Sequence, residues 1–336
     1  MWGHRMSNMR ETYWSSGVWF CVSIVLWLGI SSAVGQTYPT KPIRLINPYA
    51  AGGPGELLAR EIALPLGAAL GQQIIIESRP GAGATLGADL VAKSAPDGYT
   101  LLMAGAPGQI ISPAMQTKPA YDGVTDFAPI CMFVTVPNIL VARSTLPART
   151  FGEFAALAKK TPAKLTYGSA GQGSIGHIAM EQLRSQVDLD LLHVPYKGAA
   201  PVMVDLMSGQ IDTAVVNLAA ALPHVKAGKL LSIAMATKQR SAALPELATI
   251  EEGGVRGYDA GTWWALFGPA NMPRAIVVNL YQAMIKVMAI PELRTRLFQQ
   301  QGAEVTLLDP DALVAHMRRE QAELGRLIRA LGLKME

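Results

Sequence analysis

Two glycine-rich stretches hold the residues best suited to binding chemistry. The first is Asn47-Pro48-Tyr49-Ala50-Ala51-Gly52-Gly53-Pro54-Gly55-Glu56, and the second is Thr166-Tyr167-Gly168-Ser169-Ala170-Gly171-Gln172-Gly173-Ser174-Ile175-Gly176-His177. Each follows a β-prone run and leads into a helical pattern. Glycine lets the backbone approach a ligand closely, and the first turn of a helix offers unpaired N–H donors with a partial positive charge. Both turns therefore suit a small anion, and neither needs a cationic side chain.

Other chemistries fit these residues less well. Gly52-Gly53-Pro54-Gly55 is not the G-x-G-x-x-G of a dinucleotide fold, and Glu77 at the end of the second strand reads as a surface carboxylate rather than a ribose reader. A hydrolase would need Ser174 as nucleophile with His177 or Glu56 as base. The serine, however, is out of register with G-x-S-x-G, and its position suits an N-cap. The histidines His4, His177, His193, His224 and His316 show no chelating spacing, so neither a metal nor a cofactor is expected. A single glycine-rich turn is often only a connection; the same arrangement in both halves points to function.

The elements that must position these turns alternate strand and helix. The chain of 336 residues is 50% apolar and 16% charged, enough to bury the cores of about two domains. Its net charge of +4 comes from Lys and Arg scattered along the chain, which argues against nucleic acid as a partner. Arg5 and Arg10 precede an apolar run over 18–30, and small residues follow at Ala33-Val34-Gly35. Residues 1–35 thus read as a secretory signal cleaved after Gly35, since the run is too short to span a bilayer. Cys21 falls in that segment, leaving Cys131 as the one thiol of the mature chain.

After the signal, strands are expected at 42–47, 73–77 and 99–104, with helices from Leu58 onward and over 86–93. Pro65 should kink or shorten the first of these helices. A β-prone stretch at 127–142 could cross to a second α/β series. That series has a Thr150/Glu153 capping box, strands at 164–167, 191–194, 211–216 and 230–236, and helices near 175–185, 201–208 and 222–227. Another β-prone stretch at 261–267 could return the chain to the first series, followed by helices at 275–289 and 310–331, the latter with Asp309 as N-cap. Two crossings imply two lobes and a hinge: lobe 1 from 36–138 and 262–336, lobe 2 from 139–261. Ligands of open α/β sheets settle at the carboxyl ends of strands, where both turns lie, so the turns would face each other across a cleft that closes on a small anion.

Ordered motifs then carry a resemblance. Pro39-Thr40-Lys41-Pro42-Ile43-Arg44, Glu77-Ser78-Arg79-Pro80-Gly81-Ala82-Gly83, Ala95-Pro96-Asp97-Gly98-Tyr99, Asp126-Phe127-Ala128-Pro129, His193-Val194-Pro195-Tyr196-Lys197-Gly198 and Ala221-Leu222-Pro223-His224 resemble the Bug/TctC family. These are the periplasmic solute-binding components of tripartite tricarboxylate transporters, and the resemblance covers essentially the whole mature chain. It implies a type II-like periplasmic binding protein: two doubly wound α/β lobes joined by a hinge of crossover strands, exported to the periplasm and not an enzyme. It implies capture of a small organic carboxylate for delivery to membrane permease subunits. A signalling output through a sensor kinase, or a periplasmic hydrolase, are the alternatives.

By the same resemblance, the ligand-binding residues are Tyr49, Ala51, Gly52 and Gly53 in the first lobe, with Gly105 and Ala106 after the third strand. In the second lobe they are Gly168, Ser169, Gly171, Gly173 and Ser174, with Asn217 after Val216. Two departures stand out. Gly55 and Glu56 replace a small hydroxyl residue and Asp, so Glu56 could project into the cleft or turn outward. Residues 105–109 lack a Thr-His pair, which leaves a more apolar wall on which an aromatic carboxylate could stack against Tyr49 or Trp263, unless Trp263 and Trp264 simply pack in the return strand.

Overall fold

Hydrophobic runs bounded by Gly, Pro and Asn place the strands of the first series side by side. The computed structural model describes residues 38–49 and 53–334, so the expected signal segment and its cleavage point lie outside the described residues. Strands β1 (Ile43–Asn47), β2 (Ile74–Ser78) and β3 (Thr100–Ala104) are mutually parallel, with β1 central. Helices α1 (Pro54–Leu70) and α2 (Thr85–Ala92) make the crossovers. A π-helical turn at Pro107–Ile111 and a short helix α3 (Ser112–Met115) follow β3.

Leu58, Ile62 and Leu66 of α1 are completely buried. Each contributes about 1.5–3 kcal/mol relative to exposure. Pro65 does not shorten this helix, which runs on to Leu70. Burial on either side of the proline outweighs the roughly 3 kcal/mol that a missing N–H and a ring clash cost.

The chain then crosses from one sheet to the other. β4 (Phe127–Val136) belongs to the first sheet and β5 (Asn138–Arg143) to the second, with Pro137 between them. The second sheet adds β6 (Thr166–Ser169), β7 (Leu192–Pro195), β8 (Thr213–Asn217) and β9 (Leu230–Met235) in the order β7-β6-β8-β5-β9. Its helices are α4 (Phe151–Lys160), α5 (Ile175–Val187), α6 (Ala199–Ser208) and α7 (Leu218–Lys226). The capping box of α4 forms as the sequence indicates: Thr150 Oγ1 accepts from Glu153 N at 3.2 Å, and Thr150 N donates to Glu153 Oε2 at 3.2 Å.

β10 (Thr262–Pro269) returns to the first sheet, antiparallel to both β3 and β4. Helices α8 (Arg274–Met288) and α9 (Pro291–Gln301), strand β11 (Glu304–Leu308) and helix α10 (Pro310–Ala330) complete that side, with β11 as an edge strand on β4. The first sheet therefore has the order β11-β4-β10-β3-β1-β2.

The two crossings are tied together. Thr262 lies opposite Val136, and Asn138 Nδ2 donates to Ala260 O at 2.6 Å and to Thr262 Oγ1 at 3.0 Å. One buried amide thus fastens both hinge segments, and its loss would leave the Ala260 carbonyl without this donor. Helix α5 reaches the other core: Ile178 is buried in one cluster with Ala106, Ile110, Met115 and Trp263, and Ile175 packs against it. Among the described residues no single helix is long and apolar enough to cross a membrane.

Candidate binding site at the strand ends

The first turn is built on a buried asparagine. Asn47, the last residue of β1, is fully buried; its Nδ2 donates to Tyr49 O and to Ser78 Oγ, both at 3.2 Å, and its Oδ1 accepts from Tyr49 N at 3.4 Å. This makes a local turn in which the side chain replaces a backbone partner. Tyr49 then spans to the next strand end, where its hydroxyl accepts from Gly105 N at 3.4 Å. Burial pushes the Tyr49 phenol up to about 12, so it stays a neutral group that both accepts and donates.

Gly53 is the N-cap of α1 in extended conformation, and Pro54 occupies the first helical position. Proline has no N–H there, so the donors at this helix start are those of Gly53, Gly55 and Glu56. A Cβ on Gly55 would lie 2.7 Å from the Trp264 ring and 2.8 Å from Asn47 Oδ1. Only glycine lets the indole close against this turn. The Trp264 ring stands edge-on to Tyr49 with centroids 5.2 Å apart. The aromatic residue beside the first turn is thus Trp264. Trp263, the stacking candidate from sequence, points elsewhere, donating its Nε1 to Glu320 Oε2 at 2.7 Å. Glu56 pairs with Arg60 one turn along its own helix at 2.7 Å, and its side chain is 13% exposed. Ala51 and Gly52 lie outside the described residues.

At the end of β3, Gly105 passes so close to the return strand that a Cβ would sit 2.3 Å from Trp263 O. Ala106, a ligand-binding residue by resemblance, is completely buried within the core cluster. Gln109, in the π-helical turn, is completely buried, and neither amide atom finds a hydrogen-bond partner among the described residues.

The second turn uses side chains differently. Gly168 is a packing glycine: a Cβ there would meet Ile211 Cδ1 at 2.4 Å and Val202 Cγ1 at 3.1 Å. Ser169 ends β6 nearly buried, its Oγ 2.7 Å from His193 Nε2 and bonded to Gly171 N at 3.3 Å and Gly171 O at 3.2 Å. Gly171 and Gly173 have φ of 118° and 73°, values that glycine alone adopts cheaply. Ser174 is the N-cap of α5, its Oγ accepting from His177 N at 3.4 Å, as its sequence position indicates. Gly173 N donates to His177 Nδ1 at 3.2 Å. The N–H groups of Gly171 and Gly173 are therefore spent inside the turn. Those of Gln172, Ile175 and Gly176 have no acceptor among the described residues. Asn217 ends β8 and caps α7, its Oδ1 accepting from Ala219 N at 2.9 Å.

His193 is not among the site residues that the sequence indicates, yet it lies at the centre of a ring stack. Its imidazole is 4.7 Å from the Tyr167 ring on one side and 4.4 Å from the His177 ring on the other, both nearly parallel. The available signal is strand register, since His193 of β7 lies directly opposite Tyr167 of β6. Burial, with His177 beside it, lowers His193 to about 4, and burial also lowers His177. Both rings are neutral at pH 7. Behind the stack, Glu181 accepts from the Tyr167 hydroxyl and from Arg184 Nη1, the latter at 2.6 Å.

A cavity of about 870 Å³ opens beside the hinge, bordered by Val136, Pro137, Gln182, Thr262, Trp263 and Glu320; none of the described residues of either glycine-rich turn lines it. Burial pushes Glu320 up to about 7, with Asp259 and Glu323 adding like charge. His316 Nε2 lies 3.8 Å from that carboxyl, and since burial lowers His316 the contact joins a neutral imidazole to a carboxyl that is half protonated near pH 7. The hinge thus carries its own titrating cluster, separate from the strand-end turns.

Comparisons with known proteins agree with this architecture. The family described as "Tripartite tricarboxylate transporter family receptor" matches residues 58–333. Among relatives, a UPF0065 protein from the TAR-I ttuE-ttuC' intergenic region of Agrobacterium vitis is 33% identical over 88% of this chain and 85% of its own length. Protein BugT of Bordetella pertussis is 29% identical over 92% and 95%. Among solved structures, periplasmic binding protein BugD superposes with TM-score 0.78 at 32% identity over 89% of this chain and all of its own. An R. palustris protein solved with adipate gives TM-score 0.80 at 30% identity over 88% and 99%. MatC of Rhodopseudomonas palustris, solved with malate, gives 0.75 at 30% over 87% and 100%. The chain belongs to the tripartite tricarboxylate transporter receptor family, the TctC family of periplasmic solute-binding proteins, and has their two-lobed α/β fold.

Proposed function

We propose that the protein is exported to the periplasm, captures a small organic carboxylate between its strand-end turns, and delivers it to the membrane permease subunits of a tripartite transporter. The observation that carries this reading is the second turn. Its glycines and Ser174 open α5 with the N–H groups of Gln172, Ile175 and Gly176 free of acceptors among the described residues, next to rings held neutral. A carboxylate there gains charge-assisted hydrogen bonds and the helix-start potential in a site of low dielectric. The residues proposed to meet the ligand are Tyr49, Gly53 and Gly105 on one side and the turn 169–174 on the other, with Asn217 at the end of β8. The ligands of two relatives, adipate and malate, support a carboxylate as the ligand class.

The hydrolase alternative finds less support at Ser174 and His177. Ser174 Oγ is engaged as an N-cap, and the Nδ1 lone pair of His177 already accepts the Gly173 N–H, so neither serves as nucleophile or base as arranged. The test is a thermal-shift screen of the exported protein against mono-, di- and tricarboxylates. A true ligand at a hundredfold excess over Kd stabilises by about 2.7 kcal/mol. Failure of every carboxylate to shift the melting temperature overturns the reading. Deleting the gene with the permease intact separates uptake, where growth on the ligand stops, from sensing through a kinase, where growth continues and the response is lost.

A further inference from the structure

The second turn is gripped at both ends by one pair of stacked rings. Gly171, at one end, is held by Ser169 Oγ, which in turn meets His193 Nε2 at 2.7 Å. Gly173, at the other, donates its N–H to His177 Nδ1 at 3.2 Å. The two imidazoles lie 4.4 Å apart, with Tyr167 closing the stack behind His193. Between the gripped residues stands Gln172, with its N–H free.

Hydrogen-bond valence gives an assignment for both tautomers. A hydroxyl has one hydrogen and two lone pairs. Ser169 Oγ–H lies 3.2 Å from Gly171 O, and one lone pair takes the Gly171 N–H. With the hydroxyl hydrogen given to Gly171 O, the remaining lone pair faces His193 Nε2, and we assign that nitrogen the ring's proton. His177 Nδ1 accepts an N–H, so the proton of that ring is on Nε2 as well.

We propose that His177 and His193 are the positioning residues of the second anion-facing turn, two stacked Nε2–H imidazoles that hold Gly171 and Gly173 so that the free donors of Gln172, Ile175 and Gly176 converge on the ligand. The proposal rests on the reading of this turn as a carboxylate site and adds a regulation to it. A proton on His177 Nδ1 would confront the Gly173 N–H donor to donor, and a second charge on His193 would face it across the stack. The groups that bear on the pair are Glu181 and Arg184 of α5, Tyr167 of β6 and Ser169, and Glu181 alone favours the charged rings. Acid therefore releases the turn, and the site loosens as the pH falls below neutrality.

The test uses the exported full protein with ¹⁵N-labelled histidine. At neutral pH both rings are expected as neutral Nε2–H tautomers. His193→Phe and His177→Phe keep a flat ring in the stack but remove the donor or acceptor. Each is expected to raise amide exchange in the turn by about tenfold and to weaken malate or adipate binding by about tenfold. His193→Gln, which can present an N–H to Ser169 Oγ, is expected to restore most of both. The affinity of the parent is expected to fall on acidification from pH 7 to 4, and the phenylalanine variants to lose that slope. A proton on Nδ1 of either ring, or phenylalanine variants with unchanged exchange, overturns the positioning role. Expected tautomers and exchange without binding of any carboxylate would leave the positioning role standing and remove the proposed ligand class instead.

Discussion

The two strand-end turns are held by opposite means. The first, after β1, is held by an asparagine, a phenol and an indole, none of which titrates between pH 4 and 10; it relies on close approach, with Gly55 against Trp264 and Gly105 against the Trp263 carbonyl. The second, after β6, is held by hydroxyls and two imidazoles; its central glycines, Gly171 and Gly173, serve dihedral angles, while Gly168 and Gly176 on either side serve close packing. One lobe thus offers a rigid, pH-indifferent wall and the other a turn whose hold depends on neutral rings. In a two-lobed receptor that division makes the second lobe the side on which acid acts.

The largest effect that would break this contrast is expected at Gly105. Gly105→Ala forces a Cβ into the Trp263 carbonyl, where backbone must move, and is expected to cost about 3 kcal/mol of unfolding free energy in denaturant titration. A cost below about 1 kcal/mol would mean that the first lobe is not built on close approach. Gly171→Ala, strained by its φ but with more room, is expected to cost about 2 kcal/mol.

Next come the pH slopes, which oppose each other. Glu320 is raised in the folded state above its ordinary value of 4.5, so the folded protein holds the extra proton and stability falls as pH rises from about 4.5 to about 7. His193 is lowered from 6.5 to about 4, so the unfolded chain binds the extra proton and stability falls as pH drops from about 6.5 to about 4. Glu320→Gln is expected to flatten the first slope and leave ligand affinity at pH 7 alone, because the hinge cluster is separate from the turns. His193→Phe is expected to flatten the second. Melting temperatures of both variants from pH 4 to 8 check the signs.

A smaller change is expected from the helix cap. Ser174→Ala removes the cap of α5 and is expected to cost about 1 kcal/mol. Thr150→Ala, at the capping box of α4 in the same lobe, is expected to cost a similar amount. Only the Ser174 variant should also weaken carboxylate binding, as read by calorimetry. Smallest is Tyr49→Phe, which removes the acceptor for Gly105 N and is expected to cost about 0.5–1 kcal/mol without changing the pH profile.

Much of the scaffold was legible because hydrophobic runs and turn residues punctuate it strongly. Asp309 caps the last helix, Thr150 and Glu153 form their box, and the crossings fall at 136–138 and 260–262, where β-prone runs meet Pro137 and Gly261. Residues 291–308 were silent. Pro291–Gln301 has a weak apolar stripe, and Glu304–Leu308 is a short edge strand whose partner β4 lies far back in the chain. For the site, the turns and the N-cap role of Ser174 were readable from local pattern. What Gly168, Ala106 and Trp264 touch was not, because their neighbours come from distant strands. The imidazole stack was hidden for the same reason: His177 and His193 meet only once β6 and β7 are in register.

The measurement that bears most directly on the central claim is a crystal structure of the exported protein bound to the carboxylate that gives the largest thermal shift. The carboxylate oxygens are expected within about 3 Å of backbone N–H groups at the starts of both α1 and α5. A ligand held instead by lysine or arginine side chains, or seated in the hinge cavity beside Trp263 and Glu320, would contradict the account.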